Sequence, residues 1–320
     1  MRRQRGVALI TVLLVVALAT LVCAGLMLRQ QLAIRSVGNQ LLVRQAQYYA
    51  EGGELLARAL LLRDLREAGQ LMVDHPGEVW ASPGLRFPLD EGGELRLRIE
   101  DLAGRFNLNS LAAAGEAGEL ALLRLRRLLQ HLGLPLAHAE RLRDWLDADQ
   151  DPSGGAGAED DQYLLGKPAY RTGPGRIAEV SELRLLLGMS EAEYRRLAPF
   201  VSALPADVEL NLNTASAAVL ACLGEGIPPA ALQAQIEGRG RDGYADPNAA
   251  LQPLQAYGVA PQGLGVASQY FKVTTEVLLG DRRQVLASYL QRGNDGRVRL
   301  LARDLGQDGL APPPVEESEP

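Results

Sequence analysis

The densest run of side chains able to do chemistry is DWLDADQDPSGGAGAEDD, Asp144 to Asp161. In it Asp147, Asp149 and Asp151 fall at alternate positions before a glycine-rich turn, and Glu159, Asp160 and Asp161 follow the turn. Alternate carboxylates entering a tight turn deliver oxygens to one side, as a hard cation such as calcium requires for its six to eight oxygen ligands. The match to an EF-hand loop is partial, because Pro152 stands where that motif needs glycine and Ala158 holds its last position, with the acid displaced to Glu159. Spacing alone leaves two readings open: a calcium site drawn from these six acids, or an acidic loop whose charges are met by water.

A second segment, LNLNTASAAVLACLGEGIPPAALQAQIEGRG at Leu210 to Gly240, resembles the start of a helix-hairpin-helix unit of the kind that grips a DNA backbone, with Thr214 as the expected helix cap. Such hairpins offer backbone N–H groups to phosphate. Here the hairpin is GEGIPPA, in which Glu225 repels phosphate and two prolines lack N–H donors, so a packing module is the better reading. The whole chain agrees: 33 Lys and Arg against 39 Asp and Glu give a net charge of −6, which argues against a nucleic acid partner.

For catalysis the residues offer little. His75, His131 and His138 stand apart, without cysteines or carboxylates at zinc-ligand spacing. There is no glycine-rich phosphate loop and no nucleophile elbow, and Ser110, Ser153 and Ser181 read as turn or cap residues. The two cysteines, Cys23 and Cys222, make no disulfide framework, since Cys23 lies in an apolar run.

The elements that position these segments begin with that run. Residues 1–6, MRRQRG, are basic, and Val7 to Leu28 carry no charged side chain, a length that spans a bilayer. The arginines favour the cytoplasmic side, so the remainder is expected outside the cytoplasm. From Gln30 to Leu65, apolar residues including Leu32, Leu41, Leu42, Tyr48, Tyr49, Leu55, Leu56, Ala59 and Leu60 keep mostly helical spacing, which predicts one long helix, 7–28 in the membrane and 29–66 beyond it. ELRLRIED at Glu94 to Asp101 alternates as a half-buried strand does. Helical patterns follow from about Ala112 to Ala267, including IAEVSELRLLLG and SEAEYRRLAPFVSAL. YFKVTTEVLLG, RRQVLASYLQRG and RVRLLARDL then predict antiparallel hairpins. A lone strand must find partners, so the strand near 94–101 is expected to join the C-terminal hairpins, with the helical block inserted in the sheet.

The junction RQRGVALITVLLV resembles a type IV prepilin leader, which implies that a prepilin peptidase cuts between Gly6 and Val7. The fifth residue after that cut is Thr11, where the pilin family usually has a glutamate. A carboxylate in hydrocarbon is costly unless paired, so its loss points to a subunit with no neighbour ahead of it or with another way of joining. Together with GRFNLNSL, the acidic loop and LNLNTA, the chain resembles the general secretion pathway protein K family, the K-type minor pseudopilins of type II secretion. The resemblance implies an α+β fold, a long N-terminal helix on an antiparallel sheet with a large inserted helical domain of two small helix-hairpin-helix-like subdomains. Its expected divisions are 84–110 for the first part of the sheet, 111–209 and 210–267 for the subdomains, 268–305 for the closing strands and 306–320 for a disordered tail. It further implies calcium at Asp147, Asp149, Asp151, Glu159, Asp160 and Asp161. A non-enzymatic role in protein export at the pseudopilus tip is implied, with minor pseudopilins I and J as partners and a single pass through the inner membrane. Two other classes are weighed beside it: a membrane-tethered DNA-uptake protein using 210–240, and an anchored hydrolase with a metal in the acidic loop, for which no open catalytic position is found.

Overall fold

The computed structural model describes residues 7–67, 72–82, 84–90, 92–173, 175–293 and 295–305, with the side chain of Val7 excepted. The leader expected at 1–6, Gly6 included, and the disordered tail expected at 306–320 lie outside the described residues. Helix α1 (Val7–Glu67) is continuous over 61 residues, about 90 Å at 1.5 Å per residue. No proline interrupts it, and the apolar stretch from Ala8 to Leu28 is exposed on every side.

Next come β1 (Leu85–Pro88) and β2 (Gly93–Asp101). The chain then passes through β3 (Phe106–Asn107), α2 (Glu116–His131), α3 (Ala137–Leu146), α4 (Asp160–Tyr163), α5 (Glu191–Leu197), β4 (Val201–Ser202), β5 (Leu210–Asn211), α6 (Ala217–Ala221), α7 (Pro229–Gly238), α8 (Pro247–Leu251) and β6 (Leu264–Gly265). It returns as β7 (Tyr270–Leu279), β8 (Arg282–Arg292) and β9 (Val298–Asp304). The five long strands form one antiparallel sheet in the order β1-β2-β7-β8-β9. Thus the strand with the strict alternation does pair with the C-terminal hairpins, from Gly93 opposite Leu279 to Asp101 opposite Phe271.

The sheet presents Leu95, Leu97, Ile99, Phe271, Val273, Val277, Leu279, Leu286 and Leu290 to α1. Period-two alternation puts them all on one face. Against them α1 turns a narrow stripe of small residues, Ala46, Ala50, Gly53 and Ala57, ending in Leu61. A Cβ on Gly53 would stand 2.5 Å from the Thr275 methyl, so the helix axis rests on β7 at that residue. Tyr48 and Leu55, which helical spacing made candidates for the packed face, are instead exposed. The physical reason is the closeness of the contact: a large side chain facing the sheet would hold the helix away.

The insertion departs from two expectations. The sheet stops at Asp101, whose carboxylate accepts from the Ala103 N–H at 2.8 Å and turns the chain. Phe106 and Asn107 therefore lie outside the large sheet and pair in parallel with Val201 and Ser202, which corrects the expected 84–110 sheet segment. IAEVSELRLLLG forms only a 3-10 turn at Val180–Leu185, and SEAEYRRLAPFVSAL is helical as α5 only to Leu197. Pro199 sits in the 3-10 turn that follows, and β4 begins at Val201 because it has a strand to pair with.

Each half of the insertion is closed by a parallel strand pair joining its start to its end, β3 with β4 and β5 with β6. One apolar core runs through both halves, from Leu108, Leu125, Leu128 and Leu142 to Leu212, Val219 and Leu223.

Candidate functional site

The acidic loop starts where α3 ends, with Asp147 as its C-cap, and closes at Glu159, the N-cap of α4. The fold brings Asp144, Asp147 and Glu159 together, with one carboxylate oxygen of each within 4.8 Å of the others. Asp144 also shapes the loop. Its Oδ1 accepts from the Ser153 N–H at 2.9 Å and its Oδ2 from the Ala158 N–H at 2.7 Å. Gly157 passes so close to the Asp144 carboxylate that a Cβ there would collide with it. Below the loop, Trp145 meets Tyr163 edge-on at 5.3 Å, and Tyr163 packs on Tyr170 at 5.4 Å.

Glu159 is only 2% exposed, yet neither of its carboxylate oxygens has a hydrogen-bond partner, and Asp147 Oδ1 is likewise buried without one. Burial, with repulsion from Asp144 and the other acids, pushes Glu159 up to about 7. Burial, with repulsion from Asp149 and Asp144, pushes Asp147 up to about 6. Buried carboxylates are ordinarily paired or bound to a cation. Convergent and all-oxygen, with both Glu159 oxygens and Asp147 Oδ1 left without donors, this set suits a hard cation such as calcium in its chemistry.

The remaining expected ligands do not converge on it. Asp149 and Asp151 are exposed, and Asp149 Oδ1 accepts from the Asp151 N–H at 2.9 Å. Asp161 is exposed. Asp160 faces the other way, accepting from the Thr172 N–H at 2.9 Å, the Thr172 hydroxyl at 3.0 Å and Arg171 at 3.1 Å. Asp144 was missed in the sequence. Its signal was available: it lies one helical turn before Asp147, on the same face.

The tip of the hairpin at 210–240, Glu225 and Gly226, is exposed, but several polar groups of this segment bond within the fold. The cap of α6 is Ser216, not Thr214, and the Thr214 hydroxyl donates instead to Asp101 at the end of β2. The Glu225 N–H donates to Tyr257 O, and Arg239 donates to Ala215 O and, at 3.0 Å, to Gln235. These two donors are committed within the fold, while Arg241 is exposed. Cys222 is wholly buried and its thiol is pushed up to about 12 by burial, so it offers no nucleophile. In α1 the Thr11 hydroxyl donates to Ala8 O at 2.9 Å and so needs no partner from outside the helix.

A long helix laid by its small-residue stripe on an antiparallel sheet, with an apolar N-terminal stretch left bare, is a pseudopilin fold. Family models described as Type II secretion system (T2SS), protein K, match residues 104–206 and 210–274. The chain is 55% identical to Type II secretion system protein K of Pseudomonas aeruginosa over 98% of its own length and 96% of that protein. It is 37% identical to the protein of the same name from Pectobacterium carotovorum subsp. carotovorum, over 95% and 97%. Among solved structures, a chain in the crystal structure of the GspK-GspI-GspJ complex from the enterotoxigenic Escherichia coli Type 2 Secretion System superposes with a TM-score of 0.74 at 27% identity, covering 84% of this chain and 98% of that one. The chain belongs to the type II secretion system protein K family of minor pseudopilins.

Proposed function

We propose that this minor pseudopilin sits at the tip of the type II secretion pseudopilus, held by α1 in the inner membrane with its bulk in the periplasm. It would assemble with pseudopilins I and J, begin or cap the filament, and serve protein export across the outer membrane. The observation that carries this is where the insertion is attached. Along α1, Gly53 lies over Thr275, and Asp64, farther from the apolar stretch, reaches Arg292 at the end of β8. Residues 102–269 leave and re-enter the sheet at that same end, at Asp101 and Tyr270. The insertion therefore lies beyond the sheet on the side away from the apolar segment, where it would obstruct a subunit stacked above. A prepilin peptidase would cut between Gly6 and Val7, as in other members of the pilin class, and the absence of a carboxylate at Thr11 fits a subunit with none ahead of it. The pseudopilin I and J partnership is supported by the likeness to a chain from the GspK-GspI-GspJ complex.

In this reading calcium is structural. Asp144, Asp147 and Glu159 would hold it, and the ion would neutralise their charge and fix the loop between α3 and α4.

Labelling the chain in assembled pseudopili tests the position. One label at a single filament end is expected, and labels repeated along the filament would overturn the tip assignment. The rival reading, DNA uptake through 210–240, requires salt-dependent duplex binding by the full chain; none is expected.

A further inference from the structure

The far end of α1 meets the base of the insertion in a second carboxylate cluster. Asp64 of α1 and Asp74 and Glu78 of the segment 72–82 bring one oxygen each within 4.8 Å of one another. A single fully enclosed guanidinium serves them. Arg292 donates from Nη1 to Asp64 and from Nη2 to Asp74, also reaches Ser268 O at 2.8 Å, and lies 4.9 Å from the centre of the Phe271 ring. Asp74 further accepts from the Ser268 N–H at 2.7 Å. Glu78 receives nothing from Arg292. Its Oε2 accepts from the His75 N–H at 3.0 Å and from the Trp80 indole at 2.6 Å, which among the described residues leaves Oε1 with His75 Nε2, 4.0 Å away, and no closer donor.

The charges do not balance. Asp64, Asp74 and Glu78 are three acids against Arg292, and the other titratable groups nearby do not help. Burial lowers the His75 imidazole below its usual range, so it is neutral at pH 7. Asp242 stands near His75, and Asp101 lies near Asp74, so both add negative charge. The guanidinium already occupies Asp64 Oδ2 and both Asp74 oxygens, which leaves little of the cluster to a further cation.

We infer that Glu78 holds a proton on Oε1 and donates it to Asp64, and that this shared proton clamps the distal end of α1 to the insertion. The segment it secures is a wedge between three parts. Trp80 packs edge-on against Phe271 of β7 at 5.1 Å, Gly77 lies against the backbone of Arg241, and the Asn211 amide donates to Asp74 O at 3.0 Å. Losing the proton places two like charges, with Arg292 bonded to only one of them, side by side within that wedge.

Burial, with repulsion from Asp64 and Asp74, raises Glu78 from 4.5 to about 8, so its stabilisation is complete below pH 4.5 and lost as pH rises through about 8. His75, with a lowered value, acts in the opposite sense, losing stability as pH falls below its usual 6.5, so it adds nothing to a loss above pH 6.5; Glu159, pushed up to about 7, also titrates in that range, and the comparison with Asp64→Asn separates Glu78 from it.

The test is unfolding of the full chain in detergent at saturating calcium from pH 6.5 upward, for the wild type, Glu78→Gln and Asp64→Asn. The folded-to-unfolded ratio of the wild type should fall more steeply than that of either variant, by up to about tenfold per pH unit for one proton released. Glutamine keeps the donor at every pH, and asparagine removes the charge that holds the proton on Glu78. Parallel pH curves for the wild type and Asp64→Asn would overturn the clamp, even if Glu78→Gln failed to fold. In a Trp145→Phe background, Trp80 fluorescence should titrate with a midpoint near 8, since its indole donates to Glu78. A flat titration there would equally overturn it.

Discussion

Two asparagine pairs tie the insertion together. Asn109 gives its amide to Ile177 O at 2.9 Å and Leu204 O at 2.8 Å and accepts from the Ile177 N–H at 2.8 Å. Asn107 accepts from the Leu204 N–H at 3.1 Å and donates to Pro205 O at 2.7 Å. In the second half Asn211 donates to Asp101 and Ser268, and Asn213 exchanges two hydrogen bonds with the Tyr244 backbone. The same Asn-Leu-Asn spelling thus starts on the last residue of the opening strand of each half and staples it to distant residues. An unsatisfied buried partner costs about 1–3 kcal/mol, so Asn109→Ala should lower stability by roughly 2–4 kcal/mol in denaturant unfolding. At the same scale, Gly157→Ala should disturb the acidic loop through Asp144, weakening calcium binding measured by calorimetry while leaving the sheet intact.

At the scale of elements, the contact between α1 and the sheet depends on what is missing from the helix. Gly53→Leu should force α1 away from Thr275 and destabilise the chain by about 1–3 kcal/mol, as overpacking does. Gly52 is a useful contrast, because a Cβ there meets nothing within 4 Å. Gly52→Ala should therefore stabilise the isolated chain by about 0.5–1 kcal/mol through helix propensity alone. Thermal unfolding of the two variants side by side checks both. The helix itself was legible from unbroken apolar and helical spacing, but its buried face was not, because alanine and glycine carry little hydropathy signal.

At the scale of the molecule, the calcium reading predicts a stability that depends on the ion. Binding to the folded state alone adds about 2.7 kcal/mol at a free concentration one hundred times the Kd. Chelation should accordingly lower the Tm of the full chain in detergent, magnesium should restore little of it, and Glu159→Gln should abolish the calcium response. An unchanged Tm on adding calcium would return the loop to its other reading, charges met by water.

What the sequence determined by itself is whatever depends on local pattern. The length of the apolar run set α1, the alternation of Leu95, Leu97 and Ile99 set one face of β2, and turn residues set the hairpins of β7 to β9. Strand pairing across the insertion was also within reach, because an isolated strand cannot satisfy its backbone and only one other group of strands was on offer. The tertiary structure decided what depends on contacts between distant residues. It selected Asp144 over Asp149 and Asp151 for the acidic cluster, since the last turn of α3 aims one way and the loop beyond it another. It gave Thr214 to Asp101 and the capping role to Ser216, and it drew Glu78, Asp64 and Arg292 together from three separate elements. Spacing along a chain reports which side chains can share a face; which of them share a charge is settled only when the faces meet.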